Sequence, residues 1–181
     1  VGMLDGVCLT EWKEINAIPK EARLLSYGMD FGYKADPTSV IALYKYNDAY
    51  IVDEVIYRKG LLNSDISALL KENGISEFIY ADSAEPKSID ELKGYGHKVE
   101  PTKKGADSIV YGIGLINQNE IFVTSKSTNL LRELRNYTWK VDSSGNVINK
   151  PIDAFNHAID ALRYCITMEL SNPNKGQYHI Y

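Results

Sequence analysis

At 181 residues with 44% apolar content, the chain can bury one substantial core without disulfide staples, and its two cysteines, Cys8 and Cys165, lie at opposite ends without metal-site spacing. A net charge of −4 and a pI near 5.4 argue against a generally basic nucleic-acid wrapper, though not against one whose acids gather around cations. No apolar run is long enough to span a bilayer and no signal-peptide pattern opens the chain, so no membrane association is expected.

Val1 to Arg23 reads as a lead-in (1–23), the remnant of a linker from a preceding domain. Trp12, Ile15 and Ile18 are available to pack, and Pro19 breaks the segment. The start without an initiator Met points the same way. A single domain is expected over 24–170, followed by a polar tail over 171–181. Leu24, Leu25, Tyr27 and Met29 form an apolar run that predicts a buried strand ending at Asp30. Gly32 then lets the backbone turn, and Lys34-Ala35-Asp36-Pro37-Thr38 is a turn signal. Thr38–Tyr46 and Tyr50–Tyr57 predict a hairpin around Asn47-Asp48-Ala49, giving three antiparallel strands. Ser64–Asn73 has Ile66, Leu69 and Leu70 on one helical face, with Asn63 or Ser64 as N-cap and Gly74 as C-cap. Glu77–Tyr80 is a further strand, ending in Ala81-Asp82. A strand, helix and strand in sequence favour a right-handed crossover and a parallel pair, which brings Asp30 and Asp82 to one sheet edge.

Ser88–Lys93 predicts a short helix, with Glu85 favouring its start through the helix dipole, and His97–Val99 a strand. Lys87, Lys93, Lys98, Lys103 and Lys104 concentrate positive charge. A solvated face is the ordinary explanation of such a run. Yet Lys103 and Lys104 lead into a helix over Asp107–Gln118, where phosphate can meet both lysines and the N–H groups of the helix start. Ile121–Thr124 is a strand, Thr128–Tyr137 a helix with Leu130, Leu131 and Leu134 inward, and Tyr137–Val141 with Val147–Asn149 a hairpin. From Asp153 a last helix carries Phe155, Ile159, Leu162 and Ile166 at helical spacing. His157 and Asp160 share a face that Arg163 and Tyr164 extend.

Asp30, Asp82 and Asp160 make the donor set that divalent-metal phosphodiester chemistry requires. Mg²⁺ takes oxygen ligands and keeps waters, and two such ions can activate a water and stabilise a leaving oxygen. Three clustered carboxylates without metal would repel one another. No Cys or His cluster invites a softer metal. His157, a poor direct ligand for an oxygen-seeking ion, suits a proton-handling or outer-shell role.

Three stretches together resemble the nuclease domain of tailed-bacteriophage terminase large subunits. They are Tyr27-Gly28-Met29-Asp30-Phe31-Gly32-Tyr33 with Asp36-Pro37-Thr38, Tyr80-Ala81-Asp82-Ser83-Ala84-Glu85-Pro86-Lys87-Ser88, and Asn156-His157-Ala158-Ile159-Asp160-Ala161-Leu162-Arg163-Tyr164. The resemblance implies an α/β ribonuclease H-like fold, a central mixed sheet of three antiparallel plus parallel strands flanked by helices. It implies a hydrolase, a divalent-metal-dependent endonuclease that cuts concatemeric double-stranded viral DNA during packaging. Two Mg²⁺ or Mn²⁺ ions would be held by Asp30, Asp82 and Asp160, with His157 beside the third acid, while the lysine run itself makes Lys87, Lys103 and Lys104 the expected DNA contacts. It also implies an upstream ATPase domain, a small terminase subunit and a portal protein as partners, in the host-cell cytoplasm at the procapsid. No G-x-x-x-x-G-K-[ST] occurs, so ATP hydrolysis is not expected of this chain. The alternatives are a resolvase or transposase with the same acids, an actin-like or sugar-kinase-like ATP-binding half, and an inactive binding module of the same shape.

Overall fold

Alternation along one central strand sets the layering. In the computed structural model, which describes residues 5–105 and 107–171, Val40 and Ala42 pack to one side of the sheet and Ile41 and Leu43 to the other, all buried. A sheet apolar on both faces must be covered on both. The strands are β1 (Trp12–Ile15), β2 (Arg23–Asp30), β3 (Thr38–Tyr46), β4 (Ala49–Arg58), β5 (Ile79–Ala81), β6 (Val99–Pro101) and β7 (Ile121–Thr124), in spatial order β1-β7-β4-β3-β2-β5-β6. β2, β3 and β4 are antiparallel neighbours, whereas β5 and β6 continue parallel from β2, and β7 and β1 parallel from β4. Helices α1 (Asn63–Glu72) and α2 (Pro86–Gly94) cover one face with Ile66, Leu70, Ile89 and Leu92. Helices α3 (Ser108–Asn117), α4 (Thr128–Asn136) and α5 (His157–Leu170) cover the other, where Ile113, Leu130, Leu134, Ile159 and Leu162 meet Ile41, Leu43 and Val123. The expected mixed sheet flanked by helices is therefore observed. Strands β8 (Trp139–Val141) and β9 (Val147–Pro151) form a separate two-stranded hairpin. No helix among the described residues is long and apolar enough to cross a membrane.

Several boundaries differ from expectation. The lead-in is the largest difference, because β1 pairs along β7 from Trp12↔Ile121 to Ile15↔Thr124 and joins the main sheet. Just before it, Cys8 and Leu9 are buried in the core, and the Cys8 N–H donates to the Tyr137 carbonyl at 2.8 Å. The folded unit thus begins well before Leu24. Helix α1 is capped by Asp65, whose carboxylate accepts the Leu62 N–H at 2.9 Å, rather than by Asn63 or Ser64. Helix α5 starts at His157, since Phe155 sits at φ 54, a left-handed conformation that breaks the helix. His97 lies outside β6 and instead meets the Ser67 hydroxyl at 2.7 Å. The tail expected over 171–181 lies outside the described residues except for Ser171.

Candidate active site

Strand register delivers the first two acids. β2 and β5 run parallel with Tyr27↔Ile79, Gly28↔Tyr80 and Met29↔Ala81 paired, so the next residue on each chain, Asp30 and Asp82, leaves the same edge. Adjacent strands lie roughly 4.8 Å apart, which makes these two acids neighbours. The third acid arrives because α5 presses directly onto β2. A Cβ at Gly28 would stand 1.7 Å from the Ala161 carbonyl oxygen, so only glycine permits this approach. Asp160 precedes Ala161 and shares the N-terminal turn of α5 with His157. The His157 ring lies between two carboxylates, Nδ1 at 3.7 Å from Asp30 and Nε2 at 3.5 Å from Asp36. Asp36 returns to the site because the loop folds back on Gly32, where a Cβ would meet the Asp36 and Pro37 carbonyl oxygens at 2.3 Å. The Gly32 N–H donates to Thr38 Oγ1 at 3.1 Å and the Thr38 hydroxyl donates to the Gly32 carbonyl at 3.3 Å, pinning that fold.

The three acids differ electrostatically. Burial pushes Asp160 up to about 7 against the guanidinium of Arg163, 3.3 Å away, and the negative charge of Asp30 adds to the rise. Burial also raises Asp30, although the nearby His157 opposes it. Asp82 is buried enough to rise too, but the Lys104 ammonium and the Ala84 N–H, at 2.9 Å, hold it below the usual carboxylate range. His157 is raised, first by Asp30 and against its own desolvation, with Glu133 and Asp36 adding to the rise. Among the described residues no three Asp, Glu, His or Cys side chains form a ready-made metal cage. Lys104 and Arg163 instead neutralise one acid each. The donors still fit hard divalent cations: they are carboxylate oxygens, and two of them are held protonation-prone by burial, a cost that a bound dication removes.

The expected DNA-contacting lysines fall into two groups. Lys87 is exposed in the first turn of α2, and Lys103 is exposed after β6. Lys104, also exposed, has its ammonium on Asp82. Glu85 occupies the N-cap position of α2 without a capping side-chain bond. A cleft beside Asp160 is lined by Tyr137, Lys140, Lys150 and Asn156, which adds two cations that the sequence pattern did not single out. Glu133 was likewise missed. It is fully buried at the start of α5, and its signal was present: Leu130, Glu133, Leu134 and Tyr137 follow the apolar spacing of an inward face.

Residues 30–168 match the family described as Terminase RNAseH like domain. The chain is 33% identical over 150 residues to the terminase large subunit of Bacillus phage SPP1, covering 79% of this chain and 36% of that protein. It is 28% identical over 145 residues to the PBSX phage terminase large subunit of Bacillus subtilis strain 168, covering 77% and 33% respectively. The chain therefore spans about a third of the length of these curated relatives. The crystal structure of the g2p (large terminase) nuclease domain from bacteriophage SPP1 with bound Mn superposes with a TM-score of 0.79 at 26% identity, over 91% of this chain and 99% of that one. The P22 large terminase nuclease domain shares the fold, with a TM-score of 0.68 at 14% identity over 88% and 89% of the two chains. With the match running from the acid that ends β2 to the last turns of α5, the chain belongs to the terminase RNase H-like domain family.

Proposed function

We propose that this chain is the divalent-metal-dependent endonuclease domain of a terminase large subunit and cuts double-stranded DNA concatemers during genome packaging. The observation that carries the reading is the convergence of Asp30, Asp82 and Asp160 from two parallel strand ends and one helix that a glycine lets touch the sheet. Relatives' solved nuclease domains hold Mn and magnesium, which supports a hard divalent ion here. Family membership favours the reading over the resolvase, transposase and actin-like alternatives.

Asp30, Asp82 and Asp160 would hold two Mg²⁺ or Mn²⁺ ions, and these would supply Lewis acidity to the scissile phosphate and an activated water at neutral pH. The remaining steps fall to the chain itself. His157, aligned by Asp30 and Asp36, handles a proton near neutrality, and its raised affinity for that proton suits donation as well as acceptance. Lys104, once released from Asp82, joins Lys87 and Lys103 in contacting DNA phosphates, and these positions fix the duplex rather than read its sequence. An ATPase domain, a small terminase subunit and a portal protein would supply the rest of the machine, at the procapsid in the host cytoplasm.

Nicking or linearisation of a supercoiled plasmid tests the reading, together with Mn²⁺ binding by calorimetry. Cleavage should require Mn²⁺ or Mg²⁺ and disappear in Asp30→Asn, Asp82→Asn and Asp160→Asn. His157→Ala should lose about 10²–10⁴-fold in rate while still binding metal. A wild-type protein that neither binds Mn²⁺ nor cuts DNA sinks the proposal.

A further inference from the structure

Helix α5 carries both His157 and Asp160 in its first turns, yet its own N-cap residue, Asn156, makes no side-chain cap. The opening N–H groups of a helix need acceptors from somewhere. Here the acceptor comes from another helix. Glu133 of α4 is fully buried, and its Oε1 accepts the Ile159 N–H at 3.0 Å. Its Oε2 accepts the Tyr57 hydroxyl of β4 at 2.7 Å, and Arg132 Nη2 donates to that same hydroxyl at 3.3 Å. One carboxylate therefore ties α4, β4 and α5 together at the turn that presents the site. A buried carboxylate is retained at a cost unless its oxygens are filled, and both oxygens are filled here.

We infer that Glu133, braced by Tyr57, is the positioning residue for the candidate active site, fixing the first turn of α5 so that His157 and Asp160 face Asp30. Glu133 touches neither substrate nor the reacting atoms. It acts through the backbone of the residue next to Asp160, as the acceptor for an N–H of the first turn of α5. The inference rests on the metal-site reading above. Partners that orient ligating groups typically change metal affinity 10–100-fold when removed.

The test uses Glu133→Ala, Glu133→Gln and the near-isosteric Tyr57→Phe. Three readouts are followed: calorimetric Mn²⁺ affinity, amide hydrogen exchange at Ile159, and melting temperature. Glu133→Ala should weaken Mn²⁺ binding at least ~10-fold and speed exchange at Ile159, beyond any change explained by global stability. Glu133→Gln keeps an acceptor for the Ile159 N–H and should recover to within a few-fold of wild type. Tyr57→Phe should fold and fall between the two. A Glu133→Ala protein with lower melting temperature but wild-type Mn²⁺ affinity and Ile159 exchange makes Glu133 a structural cap and overturns the inference. Glu133→Gln as defective as Glu133→Ala overturns it too, because the effect would then belong to charge. If Glu133→Ala does not fold, wild-type behaviour of Tyr57→Phe in both metal binding and exchange serves the same purpose. Failure of wild type to bind Mn²⁺ counts against the proposed function, while exchange at Ile159 still decides the positioning.

Discussion

Asp160 is under two opposed demands, burial where α5 packs on the sheet and the ionised state that its proposed role as a metal ligand needs. Burial prevails over Arg163 and moves its carboxyl from the ordinary 3.8 to about 7, although the two side chains are 3.3 Å apart. Between those values the unfolded chain has released the proton and the folded chain has kept it, so stability falls as pH rises through the window and the loss is complete above about 7. Every tenfold difference in proton affinity between the two states corresponds to about 1.4 kcal/mol. Asp160→Asn has no such proton to release. With EDTA present, the melting temperature of Asp160→Asn relative to wild type should climb by several degrees from pH 4 to pH 8. Loss of the Arg163 partner displaces the whole curve, so the slope against pH is the readout. A gap that stays flat across that range would mean Asp160 ionises normally in the fold.

Helix α5 and strand β2 show how much of the site depends on one missing side chain. Apolar spacing from Ile159 to Ile166 and the run ending at Asp30 were enough to recognise both elements in the sequence. Their contact was not legible, because periodicity says which face of a helix is buried and not how closely it lies. Gly28 sets that distance. Gly28→Ala forces the Ala161 carbonyl away from a Cβ that would otherwise lie at 1.7 Å, and both groups are close to backbone that cannot rotate aside. Overpacking of this kind costs about 1–3 kcal/mol or more, which lowers the melting temperature by roughly 3–10 °C in a domain of this size. Lifting α5 also moves Asp160 from Asp30, so calorimetric Mn²⁺ affinity should fall by more than the stability loss explains. Wild-type values of both quantities would show that the helix has room to shift.

At the level of the whole molecule, local signals were legible and distant pairings were not. The β2–β3–β4 meander, the crossover to β5 and the convergence of Asp30 with Asp82 follow from turns, periodicity and crossover handedness, all within about 60 residues of chain. The inward position of Glu133 is written in the spacing of its helix, but its role declares itself only once α5 is seen above it. Strand β1 was hidden for a related reason. It is 4 residues long, with Lys13 and Glu14 in its middle, and its partner β7 begins at Ile121. Nothing near it in sequence reports that pairing. Leu9, just ahead of β1, is fully buried, and a Leu→Ala change at such a position costs about 2–5 kcal/mol. Leu9→Ala should therefore lower the melting temperature by roughly 5–15 °C, whereas a residue in a linker would change nothing. Removing everything before Asn16 goes further: it opens the edge of β7, leaves its outer N–H and C=O groups unpaired, and takes Cys8 and Leu9 from the core shared with Leu130 and Tyr137. The shortened protein should melt below Leu9→Ala and scatter light on heating as exposed strand edges associate. A shortened protein with wild-type melting temperature and clear solutions would return the segment before Asn16 to the status of a lead-in.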